Sequence, residues 1–321
     1  ANGTNSNTDR KAIQDEIDQL TTEIDRVSET TKFNETYLLK GDGAEKAHNV
    51  NAHDAGLDGV TLTDKGDTVD VTLKTLNAGD KISIAGKNYT IGATTADAQK
   101  IVDAQKVDGK TVTVNGTTYT YKTNQWTNAD GSAATVGGGA AGSITIKGGD
   151  VVSDGTKTLT AMKDGANAAG ADGIDDNDST VITAGKAYQL QTAEIVKASS
   201  IGTDTAAAVK NGANADKDAT ATFTLNKGTV SYKDALSFNL HVGADADMTN
   251  KITVNIDSMN SAGLGVKGIK ADTEQDATYA IDAIADAIST VSSQRSALGA
   301  VQNRLEHTIN NLDNVVENTT S

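Results

Sequence analysis

The chain contains no cysteine and no proline among its 321 residues. Without thiols it can build neither a disulfide framework nor a thiolate metal site. Without proline, which makes up about 5 % of ordinary sequences, no slow prolyl isomerisation can limit refolding. Aromatic residues are scarce at 3 % and hydrophobic residues low at 37 %, so the cores must be thin and built from Val, Ile, Leu and Ala. Positive charge is outweighed, with 28 Lys and Arg against 43 Asp and Glu and a net charge of −15. The clustered basic side chains that neutralise phosphates are missing, which argues against nucleic-acid binding and disfavours an anionic membrane surface. Acidity of this kind serves solubility. No apolar run approaches the eighteen or so residues of a membrane span, and no charged-then-apolar signal segment opens the chain. The chain starts at Ala1 and enters a helical pattern almost at once, which reads as an excised piece.

What is present begins with periodicity at the two ends. Across 273–317, apolar or small residues stand at Ala277, Ile281, Ile284, Ile288, Val291, Leu298, Leu305, Ile309, Leu312 and Val316. The 4,3 alternation breaks only at Arg295 and Gln302, which predicts one long helix with a narrow apolar seam. At 1.5 Å per residue it spans about 65 Å, a strut and not a globular core element. Near the start, Ile13, Ile17, Leu20, Ile24 and Val27 repeat the same spacing within a helix over 11–28, capped by Thr8 or Asp9. The two ends are therefore expected to pair along a shared seam.

Between them the period changes from seven to two. Short strands are predicted at 68–73, 81–85, 88–91, 111–114, 117–121, 143–147, 181–184, 187–191 and 221–225, with a helix over 96–106. Asn115-Gly116 marks a hairpin, since both residues tolerate positive φ. The stretch 193–210 is ambiguous. The glycine-rich stretch 127–142 reads as a long loop or an inter-domain connection. Beyond it, Leu236, Phe238, Leu240 and Val242 alternate and are answered by Ile252, Val254 and Ile256 across a loop at 243–250. The fold class is α+β and multi-domain: long antiparallel heptad helices forming a rod with a β-hairpin, plus a β-rich outer insert between the two halves of the rod. The rod takes 1–43 and 232–321, and the insert takes 44–231, as one body or as two subdomains at about 44–130 and 143–231.

Several blocks now carry a resemblance. Ala1-Asn2-Gly3-Thr4-Asn5-Ser6, Ala12-Ile13-Gln14-Asp15-Glu16-Ile17, Glu23-Ile24-Asp25-Arg26-Val27-Ser28 and Thr31-Lys32-Phe33-Asn34 resemble the amino-terminal rod region of bacterial flagellin. Residues 259–266 and the run from Ser293 through Arg304-Leu305 resemble its carboxy-terminal rod region. The resemblance covers roughly 1–43 and 232–321 and leaves the middle unmatched, as the variable outer part of that family would be. It implies a self-assembling structural subunit of the extracellular flagellar filament, exported without a cleaved signal peptide, whose task is motility. It also implies that the terminal assembly segments and a first rod helix before Ala1 lie outside this piece, so the seam shared with that helix would be partly exposed. By the same resemblance, Glu16 and Arg304 match a face read by the vertebrate Toll-like flagellin receptor, with weak signalling expected from this piece, or a contact between neighbouring subunits.

Chemistry is sparse. The four histidines are His48, His53, His241 and His307, and none has a carboxylate at the spacing a zinc helix needs. Asp172, Asp175, Asp176 and Asp178 form the best calcium candidate, although the glycine and distal glutamate of an EF-hand loop are missing. Trp126, the single tryptophan, follows Tyr119 and Tyr121 and is read as a core anchor in preference to a sugar-binding platform. Asn34-Glu35-Thr36 and Asn115-Gly116-Thr117 fit the N-glycosylation sequon, weak evidence in a bacterial type of protein. The expectation is a non-enzymatic structural protein without cofactors, whose partners are copies of itself. The alternative from another class is a surface-displayed binding module whose insert recognises a glycan or host surface.

Overall fold

The computed structural model describes residues 6–165, 170–242 and 250–320. The first helix, α1, runs Asn7–Thr30. It is capped by Ser6 and not by Thr8 or Asp9, because Asp9 occupies the third helical position and closes a reciprocal box. The Ser6 hydroxyl accepts from the Asp9 amide at 3.1 Å, and the Asp9 carboxylate accepts from the Ser6 amide at 3.0 Å.

A minimal hairpin follows, β1 Lys32–Phe33 and β2 Thr36–Tyr37, then β3 Asp42–Asn49. The next elements are β4 Thr61–Asp64, β5 Thr68–Thr72, β6 Lys81–Ile84, β7 Lys87–Ile91 and α2 Thr95–Ala104. They are followed by β8 Thr111–Val114, β9 Thr117–Lys122, β10 Gln125–Thr127, β11 Thr135–Val136, β12 Ser143–Ile144, β13 Val151–Ser153 and β14 Thr158–Thr160. The chain continues through β15 Val181–Ile182, α3 Ala184–Ala198, β16 Ala208–Val209, a 3-10 turn at Lys210–Gly212, β17 Thr222–Asn226 and β18 Thr229–Asp234. It closes with β19 Leu236–His241, β20 Lys251–Ile256 and α4 Glu274–Thr320. At 47 residues α4 is about 70 Å long. None of the described helices is long and apolar enough to cross a membrane.

The Asn115-Gly116 hairpin forms as expected, with φ of 50° and 82° at its two turn residues. So does the β19–β20 pair, in the register Leu236↔Ile256, Phe238↔Val254 and Leu240↔Ile252; most of its loop lies outside the described residues. The strand expected at 187–191 is instead part of α3. Thr183 ends the short β15 and caps the helix by accepting from the Lys186 amide at 3.0 Å. Ala187, Tyr188, Gln191, Ile195 and Ala198 then recur at helical spacing and are buried. The ambiguous stretch 193–210 is the end of α3, a loop and β16.

Three hydrophobic clusters hold the described residues together. The first is nested around the second, joining Val69, Val71, Ile84 and Ile91 to Ile182, Ile195, Phe223 and Leu225. The second lies wholly between them in sequence, with Val102, Val112, Val114, Trp126, Ile144 and Val152. Ala134 is fully buried in this second cluster. The glycine-rich stretch 127–142 is therefore packed into one core and does not bridge two. Its glycines allow close approach: a Cβ on Gly137 would sit 1.8 Å from the Thr145 carbonyl oxygen. A sequential cut of the insert near 130–143 falls inside this core. The third cluster brings Ile17 and Ile24 of α1 to Val266, Ile269 and the alanines of α4.

Candidate assembly face

Asp25 on α1 accepts two hydrogen bonds from Ser261, from its amide at 2.7 Å and its hydroxyl at 2.9 Å. Gln14, further toward the start of α1, bonds the same connector: its side-chain oxygen accepts from the Ala271 amide at 2.7 Å and its nitrogen donates to the Ile269 carbonyl at 3.2 Å. From α4, Gln294 donates to the Asn255 carbonyl at 2.9 Å and accepts from the Asp257 amide at 3.2 Å. Residues 257–271, between β20 and α4, belong to no strand or helix. These side chains supply partners to part-buried backbone groups of this segment.

The connector so held forms the third cluster, in which Val266 and Ile269 are buried with Ala280, Ala283 and Ala287 of α4, and Ile17 and Ile24 of α1 pack against them. The buried line of α4 is thus made of alanines. The larger residues of the expected seam point elsewhere. Ile288 is 62 % exposed, Leu20 57 % and Ile309 56 %, with Val27, Ile284, Val291 and Leu312 also exposed. Ile13, Ile17, Ile24, Leu298 and Leu305 are half-buried. Small alanines let the connector approach α4, and the bulky line next to them is left facing solvent. The side chain of Val316 lies outside the described residues.

These exposed residues are not scattered. Ile17, Leu20 and Ile24 on one side and Ile284, Ile288 and Val291 on the other line a single groove of about 490 Å³, floored by Leu264, Val266 and Ile269. Arg295, the first break in the heptad pattern, stands at its rim. Gln302, the second break, lies outside the groove and donates to Glu306 at 3.0 Å.

Strands β3 and β18 pair antiparallel as a two-stranded neck, from Asn49↔Thr229 to Asp42↔Asp234. Gly41 begins the neck at φ +73°, where a Cβ would lie 2.5 Å from the Asp234 carbonyl oxygen. The His48 ring stacks on Tyr232 with centroids 3.9 Å apart and has Asp234 3.4 Å away. His53 lies 4.0 Å from Asp286 of α4, and Asn51 donates to the same carboxylate at 3.1 Å. A second tie joins α3 to the start of α4. Tyr279 donates its hydroxyl to Glu194, Gln275 donates to the same carboxylate oxygen at 2.7 Å, and Lys197 bonds the other at 2.9 Å. Burial, followed by the hydrogen bond to Glu194, pushes the Tyr279 hydroxyl well above its ordinary pKa.

Glu16 and Arg304 are both exposed; neither side chain makes a hydrogen bond or ion pair among the described residues, and nothing brings them together. The aspartates of the calcium candidate do not converge. Asp172 accepts from the Ile174 amide, Asp175 from the amides of Lys163, Asn177 and Asp178, and Asp178 from Thr180. The carboxylates of Asp172, Asp175 and Asp178 are thus engaged by backbone amides, and no group of three His, Cys, Asp or Glu side chains poised for a metal occurs among the described residues. Trp126 is 1 % exposed and meets Tyr121 edge-on at 5.1 Å, so it is a core residue and offers no platform to a sugar.

Comparison with known proteins agrees with the placement of these two ends. The bacterial flagellin N-terminal helical region matches residues 1–44 and the flagellin C-terminal helical region matches residues 281–321. A flagellin of Clostridium tyrobutyricum is 31 % identical over 327 residues, covering 100 % of this chain and 64 % of the relative. Flagellin C of Vibrio cholerae is 29 % identical over 321 residues, covering 99 % of this chain and 61 % of the relative. The putative flagellin YvzB of Bacillus subtilis is 49 % identical over 88 residues, covering 26 % of this chain and 52 % of the relative. Both ends of the chain thus match the bacterial flagellin family, and its whole length is similar to flagellins. The chain spans about 64 % of the length of the Clostridium relative and less of the other two.

Proposed function

We propose that this chain is the rod and outer part of a flagellar filament subunit, a structural protein of the extracellular bacterial flagellum that assembles with copies of itself to build the motility propeller. One observation carries the reading: the two family-matched ends, far apart in sequence, meet at one apolar groove lined by Leu20 from α1 and by Ile284 and Ile288 from α4. Apolar surface of this kind on a helical strut is a contact waiting for a helix. In this reading residues 1–43 and 232–321 form the rod, with the heptad residues of α1 and α4 as its assembly seam. Residues 44–231 project outward on the β3–β18 neck. Glu16 and Arg304, exposed and unpaired among the described residues, are available to a neighbouring subunit or to a Toll-like receptor.

The test is assembly. The full-length natural protein that carries this region is expressed in a bacterium lacking its own filament protein, and filaments are sought by electron microscopy. Filaments are expected from the unmodified protein and lost in the pair Leu20→Lys and Ile288→Lys, with the secreted subunit still folded by circular dichroism. Absence of filaments from the unmodified protein would sink the functional reading. Normal filaments from the double variant would remove the groove from it.

A further inference from the structure

Two Asn-Gly pairs occur among the described residues, Asn115-Gly116 and Asn211-Gly212. They differ in what holds the asparagine amide. A glycine after asparagine presents its main-chain nitrogen without a Cβ to hinder approach. That nitrogen is the nucleophile of deamidation. It attacks the asparagine Cγ, the new C–N bond closes a five-membered succinimide, and ammonia leaves. Water then opens the ring to aspartate or isoaspartate. One water enters and one ammonia departs, with no change of oxidation state.

At Asn115 both ends of the amide are engaged. Its nitrogen donates to Asp150 at 2.8 Å and its oxygen accepts from the Val151 amide at 2.9 Å. The turn it occupies joins β8 and β9 in a five-stranded sheet, beside the fully buried Val114 and Val152. Rotating Cγ toward the Gly116 nitrogen would break both bonds and disturb a rigid hairpin.

At Asn211 nothing comparable restrains the amide. The residue is exposed, and its side chain makes no hydrogen bond among the described residues. It sits at φ 58°, ψ 20° in a short 3-10 turn that buries no side chain. Gly212 has open space on the side where a Cβ would stand. The left-handed conformation must relax before the ring can close, and a turn without a core anchor yields easily. Asn214, three residues on, is held to Thr192 and to the Thr220 carbonyl, each at 3.0 Å, so the freedom is confined to the turn.

We propose that Asn211-Gly212 is a site of spontaneous deamidation on the insert, and that the chemically identical pair Asn115-Gly116 is shielded by its clamp to Asp150 and Val151. Conversion adds a negative charge between β16 and β17, and the isoaspartate product also lengthens the main chain of the turn by one methylene.

The experiment incubates the whole chain in warm, mildly alkaline buffer and follows both peptides by mass spectrometry with separation of isoaspartate. Asn211 is expected to convert at least an order of magnitude faster than Asn115, giving both products. Equal rates, or no conversion at Asn211, overturn the proposal. The same measurement in concentrated urea is expected to bring the two rates together; a difference that survives unfolding shows that local sequence decides it and not the fold. Asp150→Ala, checked for intact secondary structure, is expected to accelerate Asn115 and leave Asn211 unchanged. No acceleration removes the shielding half of the proposal.

Discussion

Asp25 and Ser261 are 236 residues apart in sequence, yet Asp25 receives both the amide and the hydroxyl of Ser261. The pair locks α1 onto the connector that leads into α4, and so joins the two ends of the chain before any helix-to-helix contact is considered.

Removing that acceptor therefore has a structural cost. Asp25→Ala leaves the partly buried Ser261 amide unpaired and is expected to destabilise the chain by about 1–3 kcal/mol. Asp25→Asn, which keeps an acceptor oxygen, is expected to lose less. Urea unfolding followed by circular dichroism measures both; an alanine variant as stable as the parent would contradict the lock.

The tie between insert and α4 makes a second expectation. Tyr279→Phe removes the hydroxyl that donates to the buried Glu194 and leaves Gln275 and Lys197 as its remaining partners. A loss of about 1–3 kcal/mol is expected. Hydrogen exchange in α3 and the first turns of α4 should rise more than exchange in the second core.

Gly41 gives a backbone prediction. At φ +73° with a carbonyl oxygen 2.5 Å from a Cβ position, Gly41→Ala meets both strain and a clash, and about 1–3 kcal/mol of destabilisation is expected. Gly43, also at positive φ but with open space around it, is the control, and Gly43→Ala should cost less than the same change at Gly41.

The pH dependence follows from lysine-held carboxylates. Hydrogen bonds from Lys227, Lys267 and Lys46 hold Asp64, Asp204 and Asp234, respectively, below the ordinary 3.8. A carboxylate with a lowered pKa in the fold contributes stability that is present above the unfolded value and is lost as pH falls through the folded one. Thermal stability should be flat near neutrality and decline only below about pH 4. Lys267→Met should blunt that decline. Added calcium should leave the melting temperature unchanged, because Asp172, Asp175 and Asp178 already accept from backbone amides.

The long terminal helix was legible because 47 residues with neither proline nor a breaking cluster leave the backbone one regular option. The Asn115-Gly116 and β19–β20 hairpins were legible from positive-φ residues and strict alternation. The α3 helix was misread as strand because Ala, Tyr, Gln and Leu in a short window fit either period, and the Thr183 cap that decides it is a single hydroxyl. For the glycine-rich stretch the sequence left a loop and an inter-domain connection open, and low complexity could not show that the loop packs into one core. Gly137 instead permits an approach that a side chain would block.

The candidate site shows the same division. The apolar lines of α1 and α4 could be read from spacing, because heptad spacing places residues on one helix face whatever surrounds the helix. Which face is buried could not. That depends on the connector at 257–271, which Gln14 and Asp25 hold across more than 200 residues, and pairings so distant leave no local trace. The sequence by itself determined two long amphipathic helices flanking a β-rich insert, together with the family they resemble. Only the tertiary structure decided that the alanines of α4 pack against the connector while isoleucines and leucines line an open groove, because burial is fixed by what packs against a helix face and not by the face alone.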